Sequence, residues 1–170
     1  MTQELIGQAL SIIAPILTVI SYQFNSKKSV LLFLSGATLA TAIAYFLLGA
    51  TTGAVLNIIC LLRNLVCYFF VKGKTSIYLT FAVCAIAMGA FGAVTWQGYV
   101  SLLIILGLVI NSYFVILGDP QKLRYSILLT STLVIIYNII IFSIGGIANE
   151  ALAIISSIIG IIRFRKEIKN

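Results

Sequence analysis

Long apolar runs alternate with short polar breaks along the whole chain. Seven runs suit helices of ~20 residues, the length that crosses a bilayer core. They cover 5–24, 30–48, 54–71, 77–94, 100–117, 123–144 and 150–164. The breaks between them read NSKKS, GATTG, KGKT, WQGY, GDPQK and GGIAN, and the tail RKEIKN closes the chain. Glycine, proline and small polar residues concentrate in these breaks, where a chain turns. The pattern predicts an all-α integral membrane protein with seven transmembrane helices.

Charge placement orients these helices. Lys27, Lys28, Lys72, Lys74, Lys122, Arg124, Arg163, Arg165, Lys166 and Lys169 all fall in breaks or at run ends on one side. The other side carries Glu4, GATTG, WQGY and GGIANE, with no lysine or arginine. Basic loops stay cytoplasmic, so the N-terminus is expected outside and the C-terminus inside. Trp96 and Tyr99 suit an outer interfacial anchor. No basic segment precedes the first apolar run and no small-x-small site follows it, so no cleaved signal peptide is expected.

Composition removes the soluble alternatives. Hydrophobic residues make up 61% and charged residues 9%, and the mean hydropathy is +1.16. Soluble domains carry about 25% charged residues. The net charge of +7 sits in short clusters beside apolar runs, which marks topology rather than nucleic-acid binding. Cys60, Cys67 and Cys84 lie within apolar runs without CxxC spacing, and the chain has no histidine, so neither a metal site nor another cofactor is expected. Phosphate loops, paired-acid metal motifs and Ser-His-Asp sets are missing as well. An enzyme is not expected.

Polar residues inside the runs form stripes at helical spacing. The first helix carries Ser11, Pro15, Thr18 and Tyr22, and the second Thr38, Thr41, Tyr45 and Gly49. The third carries Asn57, Cys60, Arg63, Asn64 and Cys67 within an arc of about 120°. The sixth carries Thr130, Ser131, Tyr137 and Asn138, and the seventh Asn149, Ser156, Gly160 and Arg163. The fourth has only Thr80 with Gly89 and Gly92. Such stripes either pack helices together or line a pathway. Arg63 is the sharpest residue among them. Ten residues past Gly53 and nine before Lys72, it lies ~13–15 Å from each helix end. An unpaired charge at that depth costs at least ~2.5–3.5 kcal/mol, so Arg63 is expected to face a wet cavity or a partner such as Glu150. The candidate substrate-binding set is Tyr45, Asn57, Arg63, Asn64, Tyr137 and Asn138, with Pro15 and Gln23 as a hinge or gate.

An internal repeat is also expected. A shift of 95 places Lys27 on Lys122, and a shift of 100 places Arg63 on Arg163, Ile58 on Ile158 and Ile59 on Ile159. The drift of five is assigned to the turn between the second and third helices of each unit. Repeat one then covers about 5–72, a linker helix about 76–95 and repeat two about 98–166 of a single transmembrane domain, 1–170. One helix between the triplets makes them parallel, as in one class of transporters.

The segments LSIIAPILTVISYQFNSKKSVLLF, YFLLGATTGAVLNIICLLRNL and YNIIIFSIGGIANEALAIISSIIGIIRF resemble the YgjV-type bacterial inner membrane proteins over nearly the whole chain. More distantly, ISYQFNSKKS and AYFLLGA…LN are similar to the first-helix end and third-helix start of SWEET, SemiSWEET and PQ-loop transporters. That resemblance implies a 3+1+3 architecture working by alternating access on a small-molecule solute in the bacterial inner membrane. The alternative is a non-transporting interaction or lipid-associated membrane protein whose stripes only pack helices. The partners expected are the solute and the lipid bilayer, with homo-oligomerisation open and nucleic acid not expected.

Overall fold

The computed structural model describes Gly7, residues 12–71 and residues 73–164. Glu4, Ser11, Lys72, Arg165, Lys166 and Lys169 lie outside the described residues. The described chain is all helical, in seven elements: α1 Ile13–Tyr22, α2 Lys27–Leu47, α3 Thr51–Phe69, α4 Lys74–Val94, α5 Val100–Leu117, α6 Pro120–Ile140 and α7 Ile144–Phe164. Helices α2 to α7 are each long and apolar enough to cross a membrane. Their outward side chains are large hydrophobes such as Leu62, Phe69, Leu79, Ile86 and Ile162, all exposed. Water would penalise such a surface, and lipid would not.

Local chemistry sets the helix boundaries. Ser26 caps α2 by accepting from the Ser29 amide, and Asp119 caps α6 by accepting from the amides of Gln121 and Lys122, with Pro120 at the first helical position. Both caps satisfy amides that a helix start leaves open. Gly118 ends α5 in the left-handed conformation, φ 73°, which glycine adopts without strain. The turn after α2 has Gly49 at φ 74°, and the turn after α6 has Phe142 at φ 54°. In these turns the Ala50 amide donates to the Tyr45 carbonyl and the Ser143 amide to the Asn138 carbonyl, each at 2.9 Å.

Helix α7 starts six residues before the sequence expectation. GGIAN is not a turn: Gly145 and Gly146 lie in the first turn of α7, and the Gly146 amide donates to Ser143 Oγ. Glycine is required there by packing. A Cβ at position 146 would lie 2.2 Å from Asn138 Oδ1, and one at Gly53 would lie 2.7 Å from the Tyr45 ring.

The helices close a ring. Each of α1, α2 and α3 packs on the next, α3 packs on α5, α5 on α6, α6 on α7, and α7 back on α1. Helix α4 stands outside this ring against α3 and α5, and only 17% of its most apolar stretch is buried, against 50% for α3 and for α6. Exchanging α1–α3 with α5–α7 leaves the neighbour order unchanged. The two helix-start caps, the two left-handed turn residues and the close-packed Gly53 and Gly146 are all separated by 93 residues. This register differs from the shifts of 95 and 100 that the basic residues suggest. The turns in the two halves have the same length, so no drift occurs between them. Arg63 is 3% exposed, and its counterpart in this register is buried Ser156, whereas Arg163 is exposed.

Candidate central cavity

The stripes meet in the middle of the ring around a cavity of about 80 Å³. A water needs ~10–15 Å³ of such space, so the cavity has room for several waters or a solute of a few heavy atoms. Many of its wall residues come in pairs 93 apart: Thr18 with Asn111, Leu34 with Ile127, Ala37 with Thr130, Thr38 with Ser131, Thr41 with Val134, Asn57 with Glu150 and Cys60 with Ala153. The 93-residue spacing of the caps and turns thus recurs across the cavity wall.

Arg63 projects into the wall from α3. The helix ends at Phe69, so Arg63 stands six residues, ~9 Å, from the basic end and ~18 Å from the other. It is nearer the basic end than the sequence suggests. Nε and Nη2 donate to Asn64 Oδ1 at 3.1 and 2.7 Å, and Nη1 donates to Ser112 Oγ on α5. A guanidinium has five N–H donors; three are engaged here, leaving two for water or a ligand. Asn64, 0% exposed, does not line the cavity. It orients the arginine.

Glu150 lies on the opposite half of the wall, two turns into α7 rather than at the helix start. It is not within ion-pair distance of Arg63; among the described residues Lys122 with Asp119 is an ion pair. Instead Glu150 Oε1 accepts from Asn149 Nδ2 at 2.9 Å, and Asn149 Oδ1 accepts from Thr18 Oγ1 at 2.9 Å. This chain ties α7 to α1.

The other sequence candidates sit differently. Tyr45 and Asn57 line the cavity. The Asn57 amide donates back to the Gly53 carbonyl at 2.9 Å. Tyr137 and Asn138 lie behind the wall, beyond Tyr45, whose hydroxyl donates to Asn138 Oδ1 at 2.7 Å. Tyr45 and Asn138 are themselves 93 apart, so this bond shares the spacing of the wall pairs. Pro15 is buried in α1 away from the cavity wall. Gln23 donates from Nε2 to Ser156 Oγ at 2.9 Å and ties the end of α1 to α7.

Three residues escape the sequence reading. Asn111 lines the cavity from α5, and Ser112 binds Arg63; an isolated NS pair inside an eighteen-residue apolar helix was the available signal. Arg124 counts as a loop charge in the sequence but is 1% exposed, one turn inside α6. Its guanidinium donates to the Tyr22 carbonyl at 3.2 Å, the Phe24 carbonyl at 2.8 Å and Gln121 Oε1 at 2.9 Å, and lies 4.6 Å from the Phe164 ring centre. Gly160 makes room for it, since a Cβ there would meet Arg124 Nε at 2.6 Å. One planar fork thus fastens α1, α6 and α7 together at the basic end. At the other end Gln97 donates to the Gly49 carbonyl at 3.0 Å and accepts from the Thr52 amide at 3.2 Å. The cavity lies between these two belts.

No curated protein and no solved structure matches this chain at a significant level. One family model does, that of the bacterial inner membrane proteins Imp-YgjV, over residues 5–168. The match spans nearly the whole chain and agrees with the apolar helices and lipid-suited exterior. The chain therefore belongs to the Imp-YgjV bacterial inner membrane protein family.

Proposed function

We propose that this multi-pass membrane protein is a carrier for a small solute. Two parallel three-helix bundles, α1–α3 and α5–α7, rock against each other around the central cavity, and α4 links them. The observation that carries this reading is the cavity itself, with polar wall residues drawn from both α1–α3 and α5–α7. A wall built only to pack helices would close on itself with small residues; this one leaves space beside a guanidinium and a carboxylate. Charged groups at membrane depth are costly and mark pathways by default. The N-terminus is outside and the C-terminus cytoplasmic, because the basic breaks then stay inside.

Reconstitution into liposomes with a metabolite uptake screen tests the reading. A solute should enter protein-containing vesicles faster than empty ones. Arg63→Leu should abolish that uptake while the protein still melts cooperatively. If uptake by surviving protein is unchanged in Arg63→Leu, the cavity is not the pathway.

A further inference from the structure

Three of the seven paired wall positions are similar in character: Leu34 with Ile127, Thr38 with Ser131, Cys60 with Ala153. Full charge departs from this symmetry in two places. Asn57 is matched by Glu150, and the counterpart of Arg63 is the neutral Ser156, which is not in the cavity wall. Each half therefore contributes one charge to the wall, and the two charges have opposite signs. Their backbone positions are offset by six residues in the common register, ~9 Å along the helix axis.

The two charges do not neutralise each other directly. Arg63 is held by Asn64 and Ser112, and Glu150 by Asn149, all neutral groups. The structure holds them apart as a poised cation and a poised anion facing one small space. A singly charged anion would satisfy Arg63 but meet Glu150 as a like charge, and a cation would do the reverse. A neutral polyol would leave both uncompensated. A ligand carrying both charges satisfies both at no net charge.

We propose that the solute is a small zwitterion of the amino-acid class, its carboxylate on the two open N–H donors of Arg63 and its ammonium against Glu150. This rests on the carrier reading and names its substrate class. Guanidinium and carboxylate match in geometry, and an ammonium supplies three donors to a carboxylate. The volume of about 80 Å³ favours a molecule of a few heavy atoms over a bulky side chain.

The test is titration calorimetry, with melting temperature alongside, on the full chain in lipid nanodiscs. The ligands are glycine, L-alanine, β-alanine and γ-aminobutyrate, with propionate, ethylamine and glucose as controls. At least one zwitterion should bind, and propionate and ethylamine should bind at least roughly 30-fold more weakly, since each leaves one buried charge unpaired. Glu150→Gln keeps an acceptor for Asn149 and should weaken the zwitterion by a similar factor while improving propionate. Arg63→Lys, which keeps charge but loses the fork, should weaken it about 10-fold. Cooperative melting of both variants shows that they fold. Propionate or glucose binding as tightly as the best zwitterion overturns the proposal, as does zwitterion affinity unchanged in Glu150→Gln or no binding by any zwitterion. Binding of a control solute alone leaves the carrier reading standing. No uptake of any solute in the metabolite screen, with a cavity sealed from both sides, removes that reading as well.

Discussion

The bond between Tyr45 on α2 and Asn138 on α6 joins positions 93 apart, and its strength can be isolated. Both side chains are buried, at 2% and 0% exposure, and the hydroxyl donates at 2.7 Å. Tyr45→Phe removes one oxygen and leaves the ring packed edge-on against Tyr137, at 6.0 Å between centroids. Asn138 Oδ1, fully buried, then loses its donor. A buried polar atom left unpaired costs about 1–3 kcal/mol. Asn138→Leu is close in volume and strands the tyrosine hydroxyl instead. The double variant removes both polar partners and should cost less than the sum of the single changes. The coupling expected from bilayer proteins is about 0.6 kcal/mol on average and about 1.7 at most. We expect the upper part of that range here, because the bond is short and fully buried. Equilibrium unfolding in mixed micelles, run for all four forms, measures it. A coupling indistinguishable from zero would refute the claim that this bond ties the halves together.

Three further outcomes follow from the packing and the topology. Gly146→Ala should cost several kcal/mol or prevent folding, since its Cβ would sit 2.2 Å from Asn138 Oδ1, whereas Gly89→Ala on α4 has open space and should gain up to about 1 kcal/mol; thermal melts separate the two. Arg124→Gln should lower stability by about 2–3 kcal/mol, because the carbonyls of Tyr22 and Phe24 lose a charged donor, and Arg124→Lys should recover only part of it because the fork is gone. Reporter fusions after Lys74 and Asn170 should read cytoplasmic and one after Trp96 external, and a cytoplasmic reading at Trp96 would contradict the proposed orientation.

The all-helical fold and six of the membrane-length helices were legible in the sequence because lipid-facing positions demand long apolar runs. The fifth run, 100–117, matches α5, since Gly118 marks a left-handed stop that few other residues would take. The start of α7 was not legible. Two adjacent glycines look like a breaker, yet Gly146 is small because Asn138 presses on it, a contact between helices that no local pattern encodes. The register of the two halves was obscured for a related reason. Lys27 and Lys122 sit near helix ends, where basic residues are free to drift, and Arg63 does not correspond to Arg163, so aligning these residues gave shifts of 95 and 100, while turn geometry and close-packed glycines hold 93. Arg63 stood out by depth alone, but its partners could not be read. Asn64 is its sequence neighbour and would point elsewhere on an ideal wheel; the flexible arginine bends to meet it. Glu150, the acid expected as its partner, reaches Asn149 instead. Arg124 looked like a loop charge because one helical turn decides between solvent and core.

Cys60 offers the most direct measurement on the central claim. It is 2% exposed and lines the cavity from α3, and with Cys67→Ala and Cys84→Ala it is the sole thiol. A membrane-impermeant thiol reagent is applied to right-side-out and to inside-out vesicles in separate experiments. A cavity that opens alternately to each side predicts labelling of Cys60 from both, with neither vesicle leaking the reagent through the protein. Protection of Cys60 from both sides, in protein that melts normally, would contradict the account.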